Sequence, residues 1–339
     1  MFDVGTATSA GAARGGVGRV RFGERIGPDS MDVRIRLLWL PQAQFAGYLL
    51  AEQETRFQGK GPRIICQGAD FSTGPTDAVL RGECEFAVAS PAHILESGAS
   101  ADLVWLLTIQ QESPLVYPVS RTSGIEGPGD LAGCRVAVWP GSEDLELQWM
   151  IARAGLDANR VRRLPVADTV AAYLSGEADC AQMTSYHELH LLEAALPGEG
   201  EFRLLRAADQ GIGILKDGLI ARRDFVEKNG TLVEDVVCAV LAGWTLAFTD
   251  TKAAIEACLA TRPELDSEGQ ARQLEDIRML SRRGATRSHG LGYPDPVHAD
   301  NALAAARETG LPGPLVTASE MTMQRFWHSA PPALRRQAI

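Results

Sequence analysis

Lysine is scarce in this chain of 339 residues, because only four of its 33 basic residues are lysines. A mechanism that needs a lysine Schiff base therefore has few candidate residues. The 43 acidic residues outnumber the basic ones and give a formal net charge of −10 at pH 7. Affinity for nucleic acid rests on clustered Lys and Arg, and the charges here are dispersed. The sequence therefore predicts no nucleic-acid partner.

The six cysteines lack the spacing of metal or redox motifs. No two lie within four residues of each other, which excludes a zinc knuckle and a Cys-x-x-Cys pair. Several lie in apolar, strand-like runs, such as Cys66 in RIICQ and Cys134 in GCRVAVW. The sequence predicts buried free thiols that pack as small apolar side chains.

The chain also lacks a continuous run of 18 apolar residues, so no membrane insertion is predicted. Its first 30 residues contain seven Gly and four Arg, but no apolar h-region followed by a cleavage site. Residues 1–32 are predicted to form a disordered tail, and Met31 is a second candidate start of translation. This N-terminus predicts a cytoplasmic location, with the periplasm as the alternative.

The sequence does contain a regular alternation of strand-like and helix-like segments from residue 33 onward. Apolar runs such as VRIRLLWL (33–40) and DLVWLLTIQ (102–110) flank segments with helical periodicity, such as AQFAGYLLAEQETRF (43–57). A second set of this kind spans 134–207, and the segments after Leu219 are helical. Short strand–helix–strand connections are typical of a mostly parallel α/β sheet.

A Gly- and Ser-rich segment, 120–133, separates the two sets. It predicts two α/β lobes connected near 120–125 and again near 215–222. Lobe 1 is predicted to comprise 33–121 and 219–339, and lobe 2 to comprise 122–218. Ligands of such proteins bind between the lobes, where strand carboxyl ends and helix amino ends meet. The predicted molecule is a clamp that closes around its ligand.

A W-x-P-x-x-x-x-A-G run begins at Trp39, within LLWLPQAQFAGYLLAEQETRF, and is fairly specific. Further matching segments are DAVLRGECEFAVASPAHILES, IQQESPLVYPV, SGIEGPGDLAGCRVAVWPGSE and LSGEADCAQMTSYHELHLLE. Over 33–250 these segments resemble the pyrimidine-precursor branch of the ABC-transporter substrate-binding proteins. The resemblance implies a two-lobed periplasmic-binding-protein fold of type II with two hinge crossings. It also implies a flat heteroaromatic ligand, such as formylaminopyrimidine or hydroxymethylpyrimidine.

The same fold branch includes hydroxymethylpyrimidine phosphate synthases of thiamine biosynthesis. Those relatives carry a lysine and a histidine after the third strand and a cysteine-rich run in the return segment. Here the lysine position falls on Ala89, the histidine on His93, and the cysteine-rich run on Gly213–Lys216, which has no cysteine. Two of the three marks are missing, so the resemblance favours binding over catalysis. No catalytic residue and no cofactor is predicted.

Candidate ligand residues in lobe 1 begin at the end of the first predicted strand. Trp39 could stack on a heteroaromatic ring, or it could be a core residue. Gln42, Gln44 and Phe45 follow in the first helical turn, and a Gln side chain offers both a donor and an acceptor. We expect Trp39 and Phe45 to contact the ring and Gln42 to bind its polar edge.

Four more candidates of lobe 1 follow the third and fourth predicted strands. Ser90 and His93 lie in the turn and first helical turn after strand three, where a hydroxyl and an imidazole could bind a polar ligand. Gln111 and Glu112 belong to a polar triplet that ends strand four. Glu112 could pair with an aminopyrimidine edge or cap the hinge loop.

Lobe 2 contributes two further pairs of candidates. Gly141 and Ser142 begin a helix, and a helix amino end favours anions. The acidic residues that follow them already supply negative charge there, so a neutral ligand fits better. Tyr186 and Glu188 follow the strand at 178–183, and Glu188 could bind a ligand amine or only cap its helix.

Other chemical motifs are missing from the sequence. His187, His190 and Glu193 share a helix face, but the zincin order H-E-x-x-H is absent and no metal is predicted. There is no G-x-S-x-G elbow, Walker motif or Rossmann fingerprint. The leading hypothesis is a non-catalytic binding protein for a thiamine pyrimidine precursor. An exported form would deliver its ligand to an ABC permease, whereas a form without export would handle its ligand in the cytosol. The alternative is a cytosolic enzyme, either synthase-like or an aromatic sulfinate desulfinase with a cleft cysteine.

Overall fold

The computed structural model describes residues 31–58, 61–139, 144–196, 198, 200–311 and 316–336. Residues 1–30 of the predicted tail lie outside this part of the chain. The described strands are β1 (Asp32–Arg36), β2 (Arg63–Gln67), β3 (Phe86–Ala89), β4 (Leu103–Thr108), β5 (Leu115–Ser120), β6 (Arg135–Val138), β7 (Arg162–Pro165), β8 (Cys180–Ala181), β9 (Met183–Thr184), β10 (Phe202–Leu205) and β11 (Gly218–Arg222).

Helices alternate with the strands up to β11 and dominate the chain after it. They are α1 (Ala46–Gln58), α2 (Pro75–Leu80), α3 (Pro91–Glu96), α4 (Leu145–Arg153), α5 (Thr169–Leu174), α6 (Glu188–Ala195), α7 (Arg223–Lys228), α8 (Gly230–Thr249), α9 (Thr251–Thr261), α10 (Ser267–Ser281), α11 (Pro296–Thr309), α12 (Ala318–Met321), α13 (Gln324–Ser329) and α14 (Pro332–Arg335). A 3₁₀ turn, Ala43–Phe45, leads into α1. The alternation predicted from hydrophobic periodicity is confirmed.

Each lobe is built on its own mixed sheet. The first sheet has the order β2–β1–β3–β11–β4, in which β1 pairs in parallel with β2 and β3. The second has the order β10–β5–β8–β6–β7, and β9 also pairs with β5. In the first sheet β11 runs antiparallel to both of its neighbours. The amino end of β11 therefore lies at the same sheet edge as the carboxyl ends of β3 and β4. The predicted two-lobed periplasmic-binding-protein architecture is confirmed.

The chain leaves lobe 1 earlier than predicted. β4 ends at Thr108, and β5 already pairs with β8 and β10 of the second sheet. The first crossing therefore lies at 109–114 rather than near 120–125, and residues 115–121 belong to lobe 2. Pro118 hides β5 from pattern analysis, because a residue without an N–H argues against a central strand. The return crossing lies between Leu205 and Gly218 and overlaps the predicted one.

A buried carboxylate joins both crossings to lobe 2. Glu146, in the first turn of α4, is fully buried. One of its oxygens accepts a hydrogen bond from Ser113 Oγ at 2.8 Å, and the other accepts one from the backbone N–H of Ile214 at 2.6 Å. Ser113 belongs to the first crossing and Ile214 to the return. On the same side of the molecule, α11 packs against both α3 and α4, so the C-terminal segment contacts both lobes.

The core of lobe 1 is centred on the packing of α1 against α8. A Cβ added at Gly243 would lie 2.0 Å from the carbonyl oxygen of Gly47, so the two backbones touch at a point that only glycine permits. Among the described residues, α8 is the one helix long and apolar enough to cross a membrane by length and composition. Its apolar side chains pack in this core, which accounts for its composition.

Candidate functional site

A cavity of about 350 Å³ lies between the two lobes. Lobe 1 lines it with the segment after β1, the turn before α1, the loop after β2 and the start of α3. Lobe 2 lines it with the residue after β6 and the segment from β9 to α6. Pro114, Lys216 and Asp217 of the two crossings complete the wall. The cavity thus lies at the strand ends, where α/β proteins bind ligands.

Five of the predicted site residues line this cavity: Trp39, Gln42, His93, Tyr186 and Glu188. Gly141 and Ser142 lie outside the described residues. The other four candidates lie away from the cavity wall and have structural partners instead.

The four displaced candidates are Phe45, Ser90, Gln111 and Glu112. Phe45 is fully buried in the core of lobe 1. Ser90 is fully buried and caps α3. Gln111 donates from Nε2 to the carbonyl oxygens of Thr108 and Tyr293, and Glu112 forms an ion pair with Arg283 at 3.0 Å. A position after a strand end therefore did not guarantee access to the cleft.

Aromatic side chains line the cavity from both lobes. Trp39 and Phe71 of lobe 1 form an edge-to-face pair with ring centroids 4.9 Å apart. They remain 43% and 68% exposed, although both are large apolar residues. Trp139, after β6, and Tyr186, before α6, line the cavity from lobe 2. Such walls suit a flat ring, because aromatic surfaces favour offset-stacked and edge-to-face contacts.

The tautomer of His93 is fixed by the cap of α3. His93 Nδ1 lies 3.2 Å from the backbone nitrogen of Ser90 and 2.7 Å from Ser90 Oγ. A backbone N–H can only donate, so Nδ1 accepts and the neutral ring carries its proton on Nε2. The residue lines the cavity and is 6% exposed. Ser90 thus orients an imidazole donor rather than binding a ligand itself.

Basic and acidic groups share the lobe 1 side of the cavity. Arg36 donates from Nη1 to the carbonyl oxygen of Gly68 at 3.4 Å, while its buried Nε has no hydrogen-bond partner among the described residues. Asp70 accepts from the hydroxyl and the backbone N–H of Ser72. These hydrogen bonds, with a smaller effect of the Arg36 charge, hold the pKa of Asp70 below its ordinary value. Lys216, 4% exposed, adds a second cation at the hinge.

A carboxylate at the hinge is the most enclosed charge of the cavity wall. Asp217 is 2% exposed and accepts hydrogen bonds from Gln44 Nε2 and Gln110 Nε2. Its φ of 56° lies in the left-handed region, which Asp tolerates better than most residues. Burial, and then the negative charge of Asp217, raises the pKa of the nearby Tyr48 phenol.

Glu188 of lobe 2 is held by its own turn. Its Oε2 accepts hydrogen bonds from the backbone N–H of Thr184 at 2.9 Å and from Thr184 Oγ1 at 2.5 Å. Both partners bind the same oxygen. The second carboxylate oxygen therefore remains the one that can accept from a ligand in the cavity.

The described cysteines are free thiols, and none of them lines the cavity. Burial raises the pKa of each, for instance to about 11 for Cys84 and to about 12 for Cys258. The expectation of buried thiols is confirmed for Cys84, Cys180 and Cys258, whereas the other three are half-buried. Within the described part of the chain, no cluster of three or more His, Cys, Asp or Glu could hold a metal ion.

Several cavity residues were missed by sequence reasoning, and the rule that ligands bind at strand ends would have found one of them. Trp139 follows β6 in lobe 2 as Trp39 follows β1 in lobe 1, so the strand-end argument applies to both. His187 was not missed, because it follows the predicted strand at 178–183 together with Tyr186 and Glu188, and it lines the same cavity. Lys216 and Asp217 precede a strand rather than follow one, and the pattern gave no sign that β11 is antiparallel.

Solved structures share the fold at low sequence identity. The periplasmic aliphatic sulphonate binding protein SsuA of Escherichia coli is 21% identical, with a TM-score of 0.61 over 87% of this chain and 93% of that one. The alkanesulfonate-binding protein SsuA of Xanthomonas axonopodis pv. citri, bound to MOPS, is 20% identical, with a TM-score of 0.63 over 88% and 99%. The periplasmic nitrate-binding protein NrtA of Synechocystis PCC 6803 is 11% identical, with a TM-score of 0.58 over 89% of each chain.

No curated protein sequence matches the chain. A family model described as NMT1/THI5 like matches residues 42–254, which is more than half of the sequence. The matched region runs from Gln42 at the cavity wall through both crossings and lobe 2. The chain therefore belongs to the NMT1/THI5-like family.

Proposed function

We propose that this protein binds a small heteroaromatic ligand between its lobes, of the thiamine-precursor class that includes hydroxymethylpyrimidine and formylaminopyrimidine. The aromatic lining of the cavity carries the proposal. Trp39 and Phe71 line it from one lobe, and Trp139 and Tyr186 line it from the other. A volume of about 350 Å³ lies at the small end of the range for small-molecule sites and suits a single substituted ring.

Polar groups around the aromatic walls fit the edges of such a ring. Gln42 and Glu188 offer acceptor oxygens, and Arg36 offers a donor at its Nε. An aminopyrimidine presents both an exocyclic amine and ring nitrogens, so it could use groups of both kinds. Tyr186 remains a proposed ligand contact as well.

We place this binding activity in an ABC-type import system, with the permease as partner. The support is the fold, which is shared with the periplasmic sulfonate- and nitrate-binding proteins. Those neighbours favour the periplasmic alternative for this chain over the cytoplasmic location predicted from its N-terminus. Localisation of the full-length protein by cell fractionation would test this, and recovery only in the cytosol would contradict it.

A second candidate ligand is a small organic anion such as a sulfonate. It is favoured by two cations on the cavity wall, Arg36 with its unpartnered Nε and Lys216. A planar guanidinium matches the geometry of oxyanions. Asp70, Asp217 and Glu188 oppose it, because they add negative charge to the same cavity.

Calorimetric titration and native mass spectrometry of the purified protein decide between these ligands. The panel is hydroxymethylpyrimidine, formylaminopyrimidine, a short alkanesulfonate and pyridoxal phosphate. The proposal expects a one-to-one, non-covalent pyrimidine complex with unchanged protein mass. Binding of the sulfonate alone would transfer the assignment to the second candidate. A pyridoxal phosphate adduct fixed on Lys216 by borohydride would instead indicate an enzyme.

A further inference from the structure

Asp217 fixes the direction of two hydrogen bonds at the hinge. Its carboxylate can only accept, so each amide that meets it must present the NH₂ end. Gln44 Nε2 lies 3.0 Å from both carboxylate oxygens, and Gln110 Nε2 lies 2.5 Å from one of them. Rotating either amide by 180° would place a carbonyl oxygen against the carboxylate. The orientation of these two amides is therefore determined by chemistry.

The fixed orientation of Gln44 determines that of Gln42. With its NH₂ turned to Asp217, Gln44 directs its carbonyl oxygen at Gln42, whose Nε2 donates to it at 2.9 Å. The backbone of this turn is itself held, because the N–H groups of Ala43 and Gln44 donate to the side chains of Gln270 and Gln273. We refer to Asp217, Gln44 and Gln42 as the amide relay.

The amide relay ends at the cavity. Gln42 lines the cavity wall, is 6% exposed, and its Oε1 accepts no hydrogen bond within the described residues. Its NH₂ is already used by Gln44. The group that Gln42 offers a ligand is thus an acceptor, although a free glutamine offers both kinds of group.

We propose that the amide relay makes Gln42 Oε1 an obligate hydrogen-bond acceptor. The site therefore selects ligands that present an amino or ring N–H donor to Gln42. It rejects ligands that present a carbonyl at the same position. This inference rests on the proposed function and specifies which edge of the ring the site reads. An acceptor facing Gln42 Oε1 would leave two oxygens unpaired in an enclosed space. A buried polar group left without a partner lowers affinity by about 10- to 100-fold.

The test compares hydroxymethylpyrimidine, which carries a 4-amino group, with its 4-oxo analogue by calorimetric titration. We expect the wild type to bind the amino compound at least about tenfold more tightly. Asp217→Asn is nearly isosteric, and Asn also tolerates the left-handed backbone. The new side-chain amide can donate to Gln44, so the amides of Gln44 and Gln42 can both rotate by 180°. The roughly tenfold preference for the amino compound should then be lost.

Two further variants distinguish a change in ligand preference from misfolding of the hinge in Asp217→Asn. Gln42→Met removes the acceptor at the cavity wall without touching Asp217, and it should reduce the preference to near unity. Asp250→Asn removes the same charge from an exposed helix cap of lobe 1 and should keep the wild-type ratio. Equal affinity of the wild type for both compounds, or an unchanged ratio in Gln42→Met, would overturn the inference alone. Failure of the wild type to bind either compound would overturn the proposed function and this inference with it.

Discussion

Trp39 leaves 43% of its surface exposed at the mouth of the cavity, in edge-to-face contact with Phe71. Replacing it with alanine should weaken binding of hydroxymethylpyrimidine about tenfold, because an aromatic contact and its buried area are lost together. Calorimetric titration measures the change. Leu174 is equally exposed on α5 and does not line the cavity. Leu174→Ala should bind like the wild type, and a similar loss in both variants would refute a specific role for Trp39.

At the residue scale, the sequence predicted well which segments reach the cavity. It predicted less well which side chains of those segments line it. Trp39 and Gln42 reach it, but Phe45, one helical turn from Gln42, points into the core. Ser90 and His93 were both expected in the site, yet only His93 lines it, because the cap of α3 uses the serine hydroxyl. Side-chain direction depends on local hydrogen bonds that strand and helix periodicity does not encode.

At the element scale, the two lobes repeat one ionic contact between strands. In lobe 1, Arg34 of β1 donates its backbone N–H and its guanidinium to Glu85, just before β3. In lobe 2, Arg135 of β6 does the same to Asp179, just before β8. Each guanidinium also donates to the carbonyl oxygen of a glycine with a left-handed backbone. Arg34 donates to Gly82, which follows α2, and Arg135 donates to Gly176, which follows α5. We call each arrangement an arginine clip.

The arginine clip of lobe 2 should make the free energy of unfolding depend on pH in the acidic range. Hydrogen bonds from Arg135 hold the pKa of Asp179 below its ordinary value. A lowered folded-state pKa stabilises the protein above the unfolded value of about 3.9, and this contribution is lost as the pH falls through the folded-state pKa. Because the pair is partly exposed, Asp179→Asn should cost only about 1 kcal/mol at pH 7.

Urea unfolding of wild type and Asp179→Asn, from pH 7 down to pH 3, would measure this contribution. The difference between the two free energies of unfolding should shrink as the pH drops below about 4. Glu177→Gln is the matched control, since Glu177 is exposed and acts on Arg135 only through its charge. A difference that stays constant over the whole pH range would show that the carboxylate charge of Asp179 contributes nothing.

Most strands and helices could be predicted from hydrophobic periodicity. The two exceptions, β5 and β11, have clear physical causes. The pattern hides β5 because Pro118 has no N–H to donate to a neighbouring strand, and that one omission displaced the first crossing. The strand β11 is apolar and short, and the sequence pattern predicts helices from Leu219 onward instead. Its antiparallel direction depends on pairing with β3 and β4, which are over a hundred residues earlier in the chain. Pairing over that distance is not visible in local sequence, so Lys216 and Asp217 were missed with it.

At the scale of the whole molecule, two sets of polar contacts join the lobes. On the hinge side, Glu146 binds both crossings. At the other contact, His190 of α6 in lobe 2 lies 2.7 Å from Asp276 of α10 in lobe 1. The helix α10 also holds the amide relay, because Gln270 and Gln273 bind the backbone before α1. The contact between His190 and Asp276 therefore joins lobe 2 to the same helix that positions the ligand-binding turn.

Asp276→Ala should favour the open form of the clamp. Closure would lose a hydrogen bond between the lobes, and a partly exposed pair of this kind contributes about 0.5–1 kcal/mol, or roughly a two- to fivefold change in affinity. Small-angle X-ray scattering of the ligand-free variant should give a larger radius of gyration than the wild type, and saturating ligand should remove the difference. Glu275→Ala is the matched control, since Glu275 forms an ion pair with Arg278 on its own helix and with no other residue in the described part of the chain. If Asp276→Ala kept the wild-type radius and affinity, closure would depend on the hinge and the ligand alone, and the contact at His190 would be incidental to it.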